Sequence, residues 1–269
     1  MKLSRFAAYS SSLLLGAVLA FTGAGQAQAA QNAAALDYVA LGDSYSSGLG
    51  AGAYISSSGD CLRTNRAYPA LWAAANSPSS FAFTACSGAR TSDVIASQLG
   101  PVTSATDLVS ITIGGNDAGF ANVVITCVLQ SESACVARIE EAKRYVDSTL
   151  PGRLDSVYSA IRSRASAAHV VVLGYPRLYK LGGSCLTGLT EGERTAINGG
   201  ADYLNAAIAK RAADHGFTFS DVVPGFTGHE ICSSAAWLHS VNWLNITESY
   251  HPTASGQSGG YLPAFRSAV

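Results

Sequence analysis

Four residues set far apart along this 269-residue chain could together carry out acyl transfer: Ser44, Gly88, Asn116 and His251. A serine hydroxyl is a poor nucleophile until a neighbouring base takes its proton. An imidazole does this near neutral pH and returns the proton to the leaving group. The tetrahedral intermediate then needs donors aimed at its oxyanion. A glycine lets its N–H approach closely, and an asparagine amide adds a side-chain donor. Each residue alone has a plainer explanation. Ser44 could sit in a polar turn, Gly88 in any tight turn, and His251 at an ordinary helix start. Asn116 could cap a turn by local bonding. The elements that carry the four residues separate these readings.

Tyr38 to Leu41 read as a buried strand closed by Gly42, so Ser44 falls just past its end. Phe81 to Thr84 read as a second strand before Cys86-Ser87-Gly88, and Leu108 to Ile113 as a third before Gly114-Gly115-Asn116-Asp117. His169 to Leu173 form a fourth, ending in Gly174-Tyr175-Pro176, and Phe217 to Val222 a fifth. Helical signals fall between them. Tyr68 to Ala75 could be a short helix, and Thr91-Ser92-Asp93 could cap another running to Leu99. A helical tract runs from Ala134 to about Ser148, and Pro151 opens a helix with the stripe Leu154, Val157, Tyr158 and Ile161. Thr190 and Glu193 form a capping box for a long helix striped by Ile197, Ala201, Leu204 and Ile208. The stretch from Pro224 to Tyr250 is irregular, and Pro252 is expected to start the final helix.

Strands alternating with helices argue for one α/β domain whose parallel sheet is covered on both faces. The strands of such a sheet share one carboxyl edge, where ligands bind. Ser44, Gly88 and Asn116 all follow strand ends, and a loop could return His251 to the same edge.

On these segments the chain resembles the SGNH hydrolases, the GDSL-type lipases and esterases. Gly42-Asp43-Ser44-Tyr45-Ser46 matches the nucleophile block, Gly88 the second, Gly114-Gly115-Asn116-Asp117 the third and His251-Pro252-Thr253 the last. The blocks occur in the family's order and span most of the chain. The resemblance implies a flavodoxin-like three-layer sandwich around a five-stranded parallel sheet of order 2-1-3-4-5. It implies Ser44 as nucleophile and His251 as base. It also implies an oxyanion hole made of the Ser44 and Gly88 N–H groups and the Asn116 side chain. The family's secreted bacterial members with six cysteines include triacylglycerol lipases, esterases and phospholipase A1-type enzymes.

One position departs from the pattern. Many members carry Asp three residues before the histidine, where this chain has Glu248. Glutamate could orient the imidazole, or a main-chain carbonyl, of Glu248 or Ser249, could do so in a Ser–His dyad; the carbonyl is favoured. Asp43 is expected to hold loops by hydrogen bonds. Trp237, Trp243, Tyr175 and Tyr179 are candidates for an acyl pocket, with ordinary packing the simpler role for any one. His169, His215, His229 and His239 read as structural or surface residues. No Cys-x-x-Cys occurs, and His229 and His239 lack paired-ligand spacing on a helix, so neither a metal nor a cofactor is expected. Asn245-Ile246-Thr247 is a glycosylation sequon by pattern only.

Residues 1–29 read as a secretory leader: basic Lys2 and Arg5, an apolar run from Leu13 to Phe21, and the small-residue site Ala27-Gln28-Ala29. The run is too short to span a bilayer. Residues 30–269 are then one exported, extracellular domain. With 17 basic and 18 acidic residues the chain has no basic footprint for nucleic acid. Nor does it have a cationic run for anionic lipid. The expected partner is a lipid or other acyl-ester substrate, met by a monomer with no stable membrane insertion. Six cysteines in an oxidising compartment point to three disulfides. Pairing neighbours closes the shortest loops: Cys61–Cys86, Cys127–Cys135 and Cys185–Cys232. Hydrolysis of fatty-acyl esters leads the functional readings. Removal of acetyl groups from polysaccharide uses the same chemistry, and a non-catalytic binding module is the third reading. A trypsin-like protease is disfavoured, because the Gly-Asp-Ser here lacks the following Gly-Gly-Pro and the strand–helix alternation is wrong for that class.

Overall fold

The first strand decides where everything else goes. The computed structural model describes residues 36–183, 185 and 188–269; the expected leader lies outside the described residues. Strand β1 (Asp37–Gly42) is buried along nearly its whole length. It pairs in parallel with β2 (Ser80–Phe83) on one side and β3 (Leu108–Thr112) on the other. Beyond β3 lie β4 (His169–Leu173) and β5 (Thr218–Ser220), also parallel. The order is β2-β1-β3-β4-β5, as the family resemblance implies. Strands buried on both faces are apolar throughout rather than alternating, which is why Val-Val-Val in β4 and Leu-Val-Ser-Ile in β3 suit the centre of the sheet.

Alternation along β1 sends Tyr38 to one face and Val39 to the other. The Tyr38 ring stacks on Phe265 and meets Trp72 edge-on. The helix α2 (Tyr68–Asn76) and the chain's last helix, ending Leu262–Ala268, therefore cover that face. A single turn, α1 (Ser44–Ser47), precedes them at the end of β1. The opposite side carries α3 (Phe120–Leu129), α4 (Glu132–Ser148), α5 (Leu150–Arg164) and α6 (Glu191–Asp214), and Leu262–Ala268 is α7. The α5 stripe of Leu154, Val157, Tyr158 and Ile161 is fully buried. The Thr190–Glu193 capping box opens α6 in both directions.

One expectation fails and one helix goes unread. The tract expected from Ala134 to about Ser148 is α4 (Glu132–Ser148), but it is preceded by the separate helix α3. Its run of Val123, Val124 and Ile125 has no 3.6-residue period to read, because one side of it faces a cavity rather than water. Pro252 does not start the last helix. It pairs with Leu238 in an antiparallel bridge, flanked by the His239 N–H donating to the His251 carbonyl at 3.0 Å. The helical turns begin at Ala254.

The cysteines pair Cys61–Cys86, Cys127–Cys135 and Cys185–Cys232, each with its neighbour in sequence. Cys185–Cys232 closes the longest loop, with a separation of 47 residues. Replacing both of its cysteines by Ser should cost roughly 4 kcal/mol through regained unfolded-state entropy. Urea unfolding checks this; an unmoved midpoint would contradict a structural role for the bridge.

Candidate active site

The turn after β1 begins the site. Gly42 has φ +121°, and a Cβ there would collide with the Thr112 backbone on β3. Only glycine lets the two strands stay paired at this point. Both polar groups of its peptide are held by one buried side chain: Gly42 N–H donates to Gln98 Oε1 at 2.7 Å, and Gln98 Nε2 donates to the Gly42 carbonyl at 2.9 Å. Asp43 then caps α1 by accepting from the Tyr45 N–H, which puts Ser44 at the first position of that turn. The Ser44 N–H is among the helix-terminal donors that have no partner inside a helix. Among the described residues neither it nor the Gly88 N–H has an acceptor.

Asp43 is buried and fully engaged. It accepts from Thr112 Oγ1 at 2.7 Å and Tyr175 Oη at 2.5 Å besides the Tyr45 N–H. Burial raises its carboxyl pKa to about 6, against the three hydrogen bonds that favour the anion. Tyr175 Oη in turn accepts from the Gly115 N–H at 3.1 Å, fixing the loop after β3. Asn205 on α6 grips both ends of the Tyr175 peptide unit, accepting from its N–H at 2.8 Å and donating to its carbonyl at 2.7 Å. Tyr175 thus joins the ends of β1, β3 and β4.

The loops bearing Gly88 and Asn116 are tied together. Asp117 accepts from the Thr91 N–H and hydroxyl at 3.0 and 2.6 Å. Asn116 Nδ2 donates to the Ala89 carbonyl at 3.0 Å, which sets the plane of the amide and leaves its second hydrogen unspent. Gly88 has φ +77°, suited to glycine. Ser44, Gly88 and Asn116 line one cavity together with His251.

His251 closes the site from the far end of the chain. Its Nε2 lies 2.8 Å from Ser44 Oγ, and its Nδ1 lies 2.9 Å from the Ser249 carbonyl. A carbonyl can only accept, so Nδ1 carries the proton and Nε2 accepts from the serine hydroxyl. Burial holds the imidazole pKa down to about 4, with the Ser249 carbonyl pulling the other way. A folded pKa below the ordinary 6.5 means this group favours the fold above pH 6.5, and that contribution is lost as pH falls through about 4.

Glu248 does not face the imidazole. Its carboxylate accepts from Tyr54 Oη at 2.5 Å, and Tyr54 Oη accepts from the Gly50 N–H at 3.0 Å. Ser249, not Glu248, supplies the carbonyl bonded to His251 Nδ1, while the Glu248 carbonyl accepts from the His251 backbone N–H at 3.2 Å. Nothing in the spacing distinguishes these two carbonyls. Tyr54 carries no motif at all, so its role as an anchor is visible only in three dimensions. His239 donates its ring N–H to the Gly50 carbonyl behind His251. His169, His215 and His229 bond to Ala268, Asp155 and Ala235, away from Ser44.

The cavity has a volume of about 540 Å³. Its walls are apolar: Val124 and Val128 from α3, Ile139 and Val146 from α4, Ile197 and Leu204 from α6, and Leu178 and Trp243 from loops. Of the aromatic candidates, Trp243 and Tyr175 line it. Trp237 instead stacks on His229, and Tyr179 is buried with its hydroxyl donating to Tyr250.

A strand-end serine bonded to a histidine whose other nitrogen is held, beside free N–H donors, is the arrangement acyl transfer requires. The chain belongs to the GDSL-like lipase/acylhydrolase family, whose pattern matches residues 40–258. It is 67% identical to Lipase 1 of Streptomyces coelicolor, over the full length of both chains. It resembles the crystal structure of phospholipase A1 from Streptomyces albidoflavus, with TM-score 0.86 and 69% identity, covering 88% of this chain and all of that one. An acetylxylan esterase structure from Geobacillus stearothermophilus, at 18% identity and TM-score 0.54 over 87% of this chain and 93% of its own, shares the fold.

Asp43 is the most heavily used polar group of the site. Asp43→Ala removes a helix cap and strands the Thr112 and Tyr175 hydroxyls, a loss of about 3 kcal/mol. Urea unfolding should show that loss. A change under about 1 kcal/mol would mean water replaces the carboxylate without penalty.

Proposed function

We propose that this protein is a secreted serine ester hydrolase that cleaves fatty-acyl carboxylic esters through an acyl-enzyme on Ser44. The hydrogen bond of Ser44 Oγ to an imidazole nitrogen at 2.8 Å carries the reading. Ser44 Oγ attacks the ester carbonyl as its proton passes to His251 Nε2. The oxyanion is met by the Ser44 N–H, the Gly88 N–H and the free hydrogen of Asn116 Nδ2. The imidazolium is steadied by main-chain carbonyls, that of Ser249 first with those of Glu248 and Thr247 behind it, and by no carboxylate, so the pair works as a dyad. His251 then protonates the departing alcohol, and a water activated by the same nitrogen releases the fatty acid. Every step uses groups of this chain.

The apolar cavity beside Ser44 favours a long acyl chain over a short one, because each buried methylene contributes about 0.8 kcal/mol. Removal of acetyl groups from polysaccharide would leave that cavity unused. The names of the close relatives, lipases and a phospholipase A1, support the same choice. The domain of residues 30–269 acts as an exported monomer; the leader pattern, the three disulfides, and the description of the Streptomyces rimosus relative as an extracellular lipase support the export.

Hydrolysis of a soluble p-nitrophenyl ester tests the assignment. Ser44→Ala should abolish turnover with little change in melting temperature; retained turnover would contradict the nucleophile. Glu248→Gln keeps an acceptor for Tyr54 and should cost no more than about threefold in kcat/KM, under 1 kcal/mol. A loss beyond a hundredfold would return Glu248 to a triad.

A further inference from the structure

The apolar surface does not stop at the mouth of the cavity. Ile125 and Leu129 of α3 line it and yet are 55% and 66% exposed. Trp243 and Ile246, from the loop before His251, line it and are 70% and 57% exposed. Between them in sequence, Leu244 is 100% exposed. Monomeric proteins rarely leave large apolar side chains gathered in this way unless something covers them.

The loop is built to face outward. Its polar side chains are spent on the loop itself: Asn242 Oδ1 accepts from the N–H groups of Leu244 and Asn245, Ser249 Oγ accepts from the Asn242 N–H, and Asn245 Oδ1 accepts from the Thr247 hydroxyl. The apolar side chains are left to the outside. Helix α3 is likewise apolar on both its inner and outer sides, with only Asn122 and Thr126 polar in Phe120–Leu129. Neither segment holds a charged residue. Lys143 of α4, which also lines the cavity, is already paired with Glu140 at 2.8 Å. Two uncharged segments beside a paired lysine give anionic headgroups little to hold and suit burial in the apolar layer of a neutral lipid surface.

We propose that α3 and residues 242–247 form a docking surface that inserts into the face of a zwitterionic lipid aggregate. The inference rests on the acyl-ester reading above and deepens it, because the patch rims the opening through which an acyl chain leaving that aggregate would reach Ser44. Leu244 and Trp243 enter the lipid first, and the cavity mouth is sealed from water while the chain transfers. Docking is driven by apolar contact, so it is insensitive to salt.

Trp243 provides the readout, since Trp72 is buried and Trp237 is packed on Phe226 and His229. The full-length Ser44→Ala protein, which leaves lipid intact, is mixed with phosphatidylcholine vesicles. Its emission should shift to the blue and become shielded from iodide, equally at about 0.02 and 0.5 M salt. In the same background Leu244→Asp should weaken vesicle partitioning about tenfold or more. In the otherwise native chain, Leu244→Asp should lower phosphatidylcholine hydrolysis in step, while leaving p-nitrophenyl butyrate hydrolysis within about twofold of the parent. Unshifted Trp243 emission, or vesicle partitioning unaffected by Leu244→Asp, would overturn the proposal. So would sedimentation showing a dimer that this substitution dissociates, which assigns the face to a second copy. Failure of the parent protein to hydrolyse butyrate while it still binds vesicles would instead remove the esterase reading and leave the docking surface standing.

Discussion

One backbone carbonyl governs the chemistry of the site. The Ser249 oxygen, 2.9 Å from His251 Nδ1, obliges that nitrogen to carry the proton and leaves Nε2 as the acceptor for Ser44. A carboxylate at that position would also stabilise the imidazolium by charge. A carbonyl offers only a dipole, so it holds the ring in place and raises its basicity less than burial lowers it. Burial then dominates and keeps the imidazole neutral deep into the acid range. The turn that supplies the carbonyl is therefore as important as the histidine, and the structure anchors it. Tyr54 joins Glu248 to the Gly50 N–H, His239 holds the Gly50 carbonyl, and Tyr45 Oη donates to the carbonyl of Tyr250 at 2.8 Å.

The carboxylate that a triad would place on the histidine has a counterpart on the other side of Ser44. Asp43 is buried beneath Ser44 and spends its acceptors on Tyr45, Thr112 and Tyr175. Buried polar groups are tolerable only when satisfied. Here satisfaction does positional work, since each partner belongs to a different element. Gln98, Asn205 and Gln257 repeat the device with amides. Gln257 accepts from the Tyr68 N–H and donates to the Tyr45 carbonyl, joining the last helical segment to α1 and α2. Loops at the sheet edge are thereby each tied to more than one element.

Much of this was legible in the residues. The strands announced themselves because both faces are buried, so apolar runs closed by glycine needed no subtle periodicity. Ser44, Gly88 and Asn116 could be placed on one edge because parallel strands end together. The strand order came from family likeness, since no local pattern encodes which strands become neighbours. Helix α3 was hidden for a physical reason: residues that line a cavity and an exposed apolar rim are apolar on opposite sides, which erases the amphipathic signal. Pro252 misled because proline marks helix starts and strand edges equally well. Glu248 stood at the family's acidic position, and only the long-range bond to Tyr54 reveals that it is turned away. Cavity walls drawn from α3, α4 and α6 belong to tertiary packing alone.

The protonation state of His251 is the direct test of this account. Nitrogen-15 NMR of the imidazole in the folded protein should show Nδ1 protonated and Nε2 bare through the neutral range, with the ring taking up its second proton only near pH 4. A ring protonated on Nε2, or one that titrates at 6.5 or above, would mean that another group governs the histidine and that the carbonyl-held dyad is wrong.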